Sequence, residues 1–200
     1  MEYFFHCRAK PDAQALWARL TEAHWSFMDR YADGMIARGP TLTADRATAT
    51  GSMHFVDLLD ADAARVFAFE EPCYVAGVYS EVMVRRWRNT LGRTMWEFQG
   101  DAVANRRFLV VGHGLVDAGP AGAELQAEQR LYFSDGGNIE HMIAYGPLLA
   151  DDGREWVGDA MLIERRDRAA VEAMVASAPL TRAGLYDNVE IHDWEFGGRR

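Results

Sequence analysis

The sequence predicts an α+β protein built from two tandem βαββαβ units, and three observations carry that reading. The first is an internal repeat. Gly39-Pro40 recurs as Gly146-Pro147, an offset of 107 residues. Without a gap, that offset matches Leu42 to Leu149, Gly51 to Gly158, Asp60 to Asp167, Pro72 to Pro179, Ala76-Gly77 to Ala183-Gly184, Tyr79 to Tyr186, Val82 to Val189 and Trp87 to Trp194. Residues 39–93 and 146–200 share 14 identities in 55 positions, where about three or four arise by chance at average residue usage. The same offset pairs His6 with His113. The second observation is the alternation of short β-patterned runs with helix-patterned ones. The third is the turn and cap residues between them. Two modules follow, 1–93 and 108–200, joined by a linker over 94–107.

The elements of the first module are argued in order. Residues 2–8 are short and aromatic, a strand pattern. Pro11-Asp12 opens a helix, since proline is tolerated in a first turn. Leu16, Leu20, Ala23 and Phe27 keep helical spacing up to Tyr31, and Gly34 stops it. Met35-Ile36-Ala37-Arg38 runs as a second strand into Gly39-Pro40. Residues 41–50 form a polar, hairpin-like excursion, and 52–58 a third strand. Asp60 is placed to cap a helix over 61–70, which Pro72 ends. Residues 76–87 alternate as a long fourth strand. In the second module, 117–123 reads as a loop and about 123–134 as a shorter helix. The linker reads as a strand extension that turns at Gly100-Asp101.

The order βαββαβ is the ferredoxin-like pattern, an antiparallel four-stranded sheet with both helices on one face. The bare face needs cover, and a second copy supplies it. The expected architecture is an intramolecular pseudo-dimer, two sheets packed face to face as an α+β barrel. Pairing of each module with another chain, as a homodimer, is the alternative the residues leave open.

Composition narrows the partners. The net charge is −9 and the pI about 5.1, which argues against phosphate-rich nucleic acid and anionic membrane surfaces. No apolar run approaches a membrane span, and the N-terminal residues lack a signal-peptide pattern, so a cytoplasmic location is expected. Cys7 and Cys73 stand outside any CxxC spacing, and no dinucleotide or phosphate loop is present, so neither metal nor organic cofactor is expected. The acidity lies mainly in the second half: residues 1–100 carry 11 basic and 13 acidic groups, residues 101–200 carry 10 and 17. The near-neutral half therefore remains open to a small anionic or aromatic molecule.

Within that half, the run Ala23-His24, Asp33, Arg38-Gly39-Pro40, Gly51-Ser52 and Glu71-Pro72-Cys73-Tyr74-Val75-Ala76-Gly77-Val78-Tyr79 resembles the YCII (YciI-like) domain. The resemblance covers nearly all of the first module and, more weakly, 146–195. It implies a dimeric α+β barrel and an enzyme using a His and an Asp, with relatives that include a dehydrochlorinase. By position the family histidine is His24. The family aspartate falls on Glu71, a departure that keeps the charge and adds a methylene. Asp33 is the other candidate partner for His24. At offset 107 the second module has Leu131 for His24 and Ala178 for Glu71, so it lacks the pair.

An imidazole suits general acid–base work near neutral pH, and a carboxylate can orient it. Glu71 itself follows Glu70 and reads as an acidic helix C-terminus, which the macrodipole disfavours. Arg38 is a candidate anion ligand, Ser52 a candidate hydroxyl and Trp25 a candidate aromatic wall, with Trp17, Trp87 and Trp96 as further wall candidates. His6 and His54 fall on neighbouring strands and raise a two-His metal pair, which the opposite-facing Cys7 weakens. The expected function is cofactor-independent proton transfer of lyase, isomerase or dehydrohalogenase type. A non-catalytic binding or sensing protein is the alternative, and a haem- or oxygen-using monooxygenase on the same barrel is a third reading that no axial-ligand pattern supports.

Overall fold

The computed structural model describes residues 1–115 and 122–198. Five positions of the 117–123 loop expected from sequence, 117–121, lie outside the described residues. The first module runs β1 (Glu2–Ala9), α1 (Gln14–Asp29), β2 (Met35–Leu42), β3 (Ala49–Asp57), α2 (Ala61–Phe69), α3 (Pro72–Val75) and β4 (Tyr79–Trp87). The second repeats it as β5 (Arg106–Gly114), α4 (Ala123–Ser134), β6 (Met142–Leu149), β7 (Trp156–Arg165), α5 (Arg168–Ala176), α6 (Pro179–Arg182) and β8 (Tyr186–Trp194). All strand pairings are antiparallel, and the strands close in the order β1-β3-β2-β8-β5-β7-β6-β4.

Sequence accounts for most element ends. Asp60 accepts from the Ala63 amide at 2.8 Å, and Asp167 from that of Ala170 at 2.9 Å, so the repeated aspartates cap α2 and α5. Pro72 does more than end α2: it stands in the first turn of α3, where its missing N–H has no intrahelical partner to lose. The fourth strand, expected over 76–87, begins at Tyr79, because residues 76–78 turn out of α3. The linker carries no strand extension before β5 starts at Arg106; residues 94–105 are irregular and drive Met95 and Phe98 into the core, with the Met95 amide on the Ile36 carbonyl at 2.9 Å. Pro11-Asp12 forms a turn just before α1.

Strand alternation sorts the side chains into three layers. The inward faces put Phe4, Met53, Phe55 and Trp87 of one sheet against Leu109, Val111, Leu162 and Trp194 of the other. Phe55 stacks on Trp87 with 4.1 Å between ring centres. The outward faces carry the helices: Phe5 and Val56 lie under α1 and α2, Val110 and Met161 under α4 and α5. Each large apolar side chain removed from water contributes roughly 1.5–3 kcal/mol, so the between-sheet core binds the modules as strongly as each binds its own helices.

The two sheets join at their corners by an exchange of chain ends. Beyond Trp87, the Arg88 amide reaches the Pro147 carbonyl at 3.3 Å and the Thr90 amide the Tyr145 carbonyl at 2.9 Å. Beyond Trp194, the Glu195 amide reaches the Pro40 carbonyl at 3.4 Å and the Gly197 amide that of Arg38 at 3.1 Å. This crossing explains the repeated Gly-Pro. A Cβ on Gly146 would collide with the Arg88 carbonyl, and one on Gly39 with the Glu195 carbonyl.

The register corrects part of the repeat. Arg8 stands opposite Gly51, and His113 opposite Gly158, so β1 and β5 are related by 105 residues. His6 therefore corresponds to Val111, and its match to His113 is a coincidence of the ungapped alignment.

Because the blocking atom at Gly146 is backbone, Gly146→Ala is expected to destabilise by on the order of 2 kcal/mol or more. Gly137→Ala, where an added Cβ meets nothing within 4 Å, should stay within about 0.5 kcal/mol of the parent. Denaturant midpoints of the two variants check the difference.

Candidate functional site

A cavity of about 470 Å³ lies between α1 and the outer face of β2 and β3. Its position follows from register. Arg38 pairs with His54, and Pro40 with Ser52, so these side chains share one face and look toward α1. Helical spacing puts Trp17, Thr21, His24, Trp25 and Met28 on the facing wall. Residues 195–198 roof the space, so the second module completes the cavity of the first.

His24 is buried near the end of α1. Its Nδ1 lies 2.7 Å from Glu71 Oε1. Glu71 is the N-cap of α3, the opposite of the acidic C-terminus read from sequence: α2 ends at Phe69, and the carboxylate faces free amides. Oε1 accepts from the Cys73 amide at 3.0 Å and Oε2 from the Tyr74 amide at 2.9 Å. Burial pushes the Glu71 carboxyl up, but the His24 bond and the two amides outweigh it and hold the group below the usual carboxylate range. An ionised carboxylate only accepts, so His24 Nδ1 donates and Nε2 keeps the basic lone pair.

The other candidates divide. Arg38, Ser52 and Trp25 line the cavity with His24. The buried Arg38 guanidinium lies 3.7 Å from Asp29 and packs against Gly198, where a Cβ would collide with it. Ser52 Oγ lies 3.2 Å from the Tyr79 hydroxyl. Asp33 is not brought to the site: it is exposed in the short 3-10 turn 32–34, outside the cavity wall, and the carboxylate on His24 is that of Glu71. Trp17 lines the cavity, whereas Trp87 sits in the between-sheet core and Trp96 packs against that core.

The two-His metal pair fails on register. His54 stands opposite Phe5, and His6 opposite Met53, so the two rings face opposite sides of the sheet. His6 points between the sheets, edge-on to His192 at 4.9 Å, and burial and then its cationic neighbours push it down to about 3. His54 instead joins the cavity, 5.9 Å from His24 between ring centres. Sequence reasoning missed that role; the available signal was its i+2 spacing from Ser52, which shares a strand face. The roof at 195–198 had no local signal.

Among the described residues, one group has donor atoms spaced for a cation, His24, Glu71 and Cys73, within 4.8 Å of one another. Its donors are otherwise engaged. Glu71 holds three N–H groups, and burial, then the Glu71 charge, push the Cys73 thiol far up. Burial raises Cys7 to about 12, so both thiols stay protonated near neutral pH and offer no nucleophile.

In the second module the counterpart of His24 is Gln129, because Gln129 is buried while Leu131 is 62% exposed. Gln129 Oε1 accepts from the Leu180 amide at 3.1 Å, and its Nε2 donates to the Tyr186 hydroxyl at 3.2 Å. It caps α6 in place of the carboxylate that Ala178 lacks. Asp159 takes the place of Ser52, Tyr145 of Arg38 and Met161 of His54. The space beside Asp159 is about 10 Å³.

The comparisons with known proteins fit this architecture. The sequence profile of the YCII-related domain matches residues 1–88 and 121–195. No curated protein matches the chain. Among solved structures, chlorite dismutase from Candidatus Nitrospira defluvii is 8% identical with a TM-score of 0.58, over 97% of this chain and 91% of that one. An anthrone oxidase-like protein is 12% identical with a TM-score of 0.54, over 100% and 92%. A 5-chloro-2-hydroxyhydroquinone dehydrochlorinase from Burkholderia phenoliruptrix, in complex with 2,5-dihydroxybenzoquinone, is 23% identical with a TM-score of 0.42, over 44% of this chain and 94% of that one. The first two likenesses show a shared α+β barrel fold. Among the described residues no helix is long and apolar enough to cross a membrane.

Asp159 generates a pH prediction. Burial raises its carboxyl to about 7, against a hydrogen bond from Tyr186 that lowers it. A raised folded value means that the fold keeps a proton the unfolded chain has lost. The contribution of Asp159 to stability is then greatest in acid and falls between about pH 4 and 7, by at most ~1.4 kcal/mol per unit. Asp159→Asn removes that slope and should melt higher than the parent at pH 8, with the advantage shrinking toward pH 4. Thermal midpoints across that range check it.

Proposed function

The chain belongs to the YCII-related domain family, and from that premise we propose that it is a cofactor-independent small-molecule enzyme that moves a proton with the His24–Glu71 pair. The observation that carries the reading is the bond of 2.7 Å between His24 Nδ1 and a carboxylate already held by two backbone amides. That arrangement fixes the ring and leaves one basic nitrogen, as an orienting acid does for a catalytic imidazole.

In the proposed chemistry, Nε2 takes a proton from a carbon or oxygen of the bound molecule. The imidazolium that forms is stabilised by Glu71. The freed electron pair builds a double bond, and either a leaving group departs with its bonding pair or the proton returns to a neighbouring carbon. The first course is a lyase or dehydrohalogenase reaction, the second an isomerisation. Arg38 holds an anionic oxygen through its planar fork. Ser52 offers a hydroxyl, and Trp25 with Trp17 flanks a planar ring. The roof at 195–198 keeps bulk water from the imidazole. A cavity of about 470 Å³ is within the range for small-molecule sites, and the substrate class proposed is a planar, acidic, single-ring molecule.

A non-catalytic binding protein would use the same cavity but give the His24–Glu71 pair no task. In the second module Gln129 and Ala178 stand where the pair would be, and the space beside Asp159 is about 10 Å³.

The ring bound in the dehydrochlorinase complex, 2,5-dihydroxybenzoquinone, is a suitable probe, being planar, acidic and coloured. Its ring C–H protons exchange with solvent through a keto form, so deuterium uptake in D₂O reports proton transfer directly. The protein is expected to bind it and accelerate exchange. His24→Ala should lose on the order of 10²-fold or more, and Glu71→Gln on the order of 10-fold to 100-fold. Parent-like exchange by His24→Ala would remove the basis of the proposal.

A further inference from the structure

We propose that His54 is the second proton-handling residue of this cavity, a neutral imidazole that takes the acidic O–H proton of the bound molecule while His24 serves a carbon. The inference rests on the catalytic reading above and adds a residue that the dyad does not include.

Three observations carry it. The first is placement. His54 lies on β3 directly across from Arg38, shares its face with Ser52, and lines the same cavity as His24, with 5.9 Å between the two ring centres. Two imidazoles so spaced can serve different atoms of one small ring. The second is an unmet bond. His54 is 3% exposed, and its Nδ1 has no hydrogen-bond partner. A buried polar ring that nothing in the fold satisfies is unfavourable for stability, so its presence calls for a use outside the fold. The third is the internal control. The equivalent residue of the second module is Met161, packed in the apolar core under α4 and α5. A thioether fills that place in the fold, so packing alone does not require a histidine.

Electrostatics agree with the assignment. Burial first, and then the neighbouring His24 and Arg38, hold the ring well below its ordinary value, so it stands neutral near pH 7. His24 differs in having the Glu71 carboxylate on its Nδ1.

The step balances. The substrate O–H bond breaks, and its proton goes to His54. The oxygen electron pair forms C=O, and the C=C pair takes a proton at carbon from His24 Nε2, which has first taken that proton from solvent. One imidazole gains the proton that the other loses, and the reverse step restores both.

Deuterium exchange into the ring C–H positions of 2,5-dihydroxybenzoquinone tests this with the full-length protein. His54→Met is expected to keep the thermal midpoint of the parent and to lose exchange by about 100-fold. His54→Gln, which can hydrogen-bond but cannot take a proton, should bind the probe with nearly parent affinity and also lose exchange. Loss in His24→Ala with parent-like exchange in His54→Met would overturn the role of His54 and leave the dyad standing. Should His54→Met fail to fold, parent-like exchange in His54→Gln overturns it equally. Failure of the parent protein to bind or exchange the probe, or indifference of exchange to His24→Ala, would overturn the catalytic reading and this proposal with it.

Discussion

The site depends on one carboxylate at the start of one short helix. Glu71 is 3% exposed, and an isolated charge at such depth is prohibitive. Three N–H donors make it tenable: two amides of α3 and the Nδ1 of His24. The same bonds fasten α3 to the end of α1 and fix which nitrogen of His24 is free. Glutamate in place of the family aspartate adds a methylene without losing any of this, because one carboxylate reaches both the helix start and the imidazole. The second module shows what happens without it. With Ala178 at the cap, a neutral amide from Gln129 bonds the start of α6, and no oriented base remains.

The second module nonetheless belongs to the site. Its inward sheet face covers that of the first, and its chain end crosses over Gly39-Pro40 to roof the cavity. The first module returns the exchange at Gly146-Pro147. The two copies have therefore diverged: one holds the His24–Glu71 pair and its cavity, and the chain end of the other roofs that cavity. Its interior has shifted to a sealed polar cluster of Asp159, Tyr186 and Gln129.

Much of this was legible in the sequence, for identifiable reasons. Repeated Asp60 and Asp167 announce helix starts through short-range capping, and the Gly-Pro pair announces the corner, although its cause, a crossing chain, is a tertiary fact. His24 and Glu71 were named through the resemblance to the YCII-related domain, and the choice between Glu71 and Asp33 needed the path of the chain between α2 and β4. Other features depend on pairing register, which one sequence leaves open. His54 reads as one strand histidine among several until its cross-strand neighbour is known to be Arg38. The ungapped offset misplaced His113 and Leu131, because the modules differ by two residues before β6, where length changes do not disturb the shared core.

The account stands most directly on the tautomer of His24. A carboxylate bound to Nδ1 forces the proton onto that nitrogen, the less common form of a free imidazole. Long-range ¹H–¹⁵N correlation spectra of the histidine side chains, taken at a pH where the ring is neutral, distinguish the two forms. The account predicts a protonated Nδ1 and a bare Nε2 for His24, reverting toward the ordinary form in Glu71→Ala. A neutral His24 with its proton on Nε2 in the parent protein would contradict it.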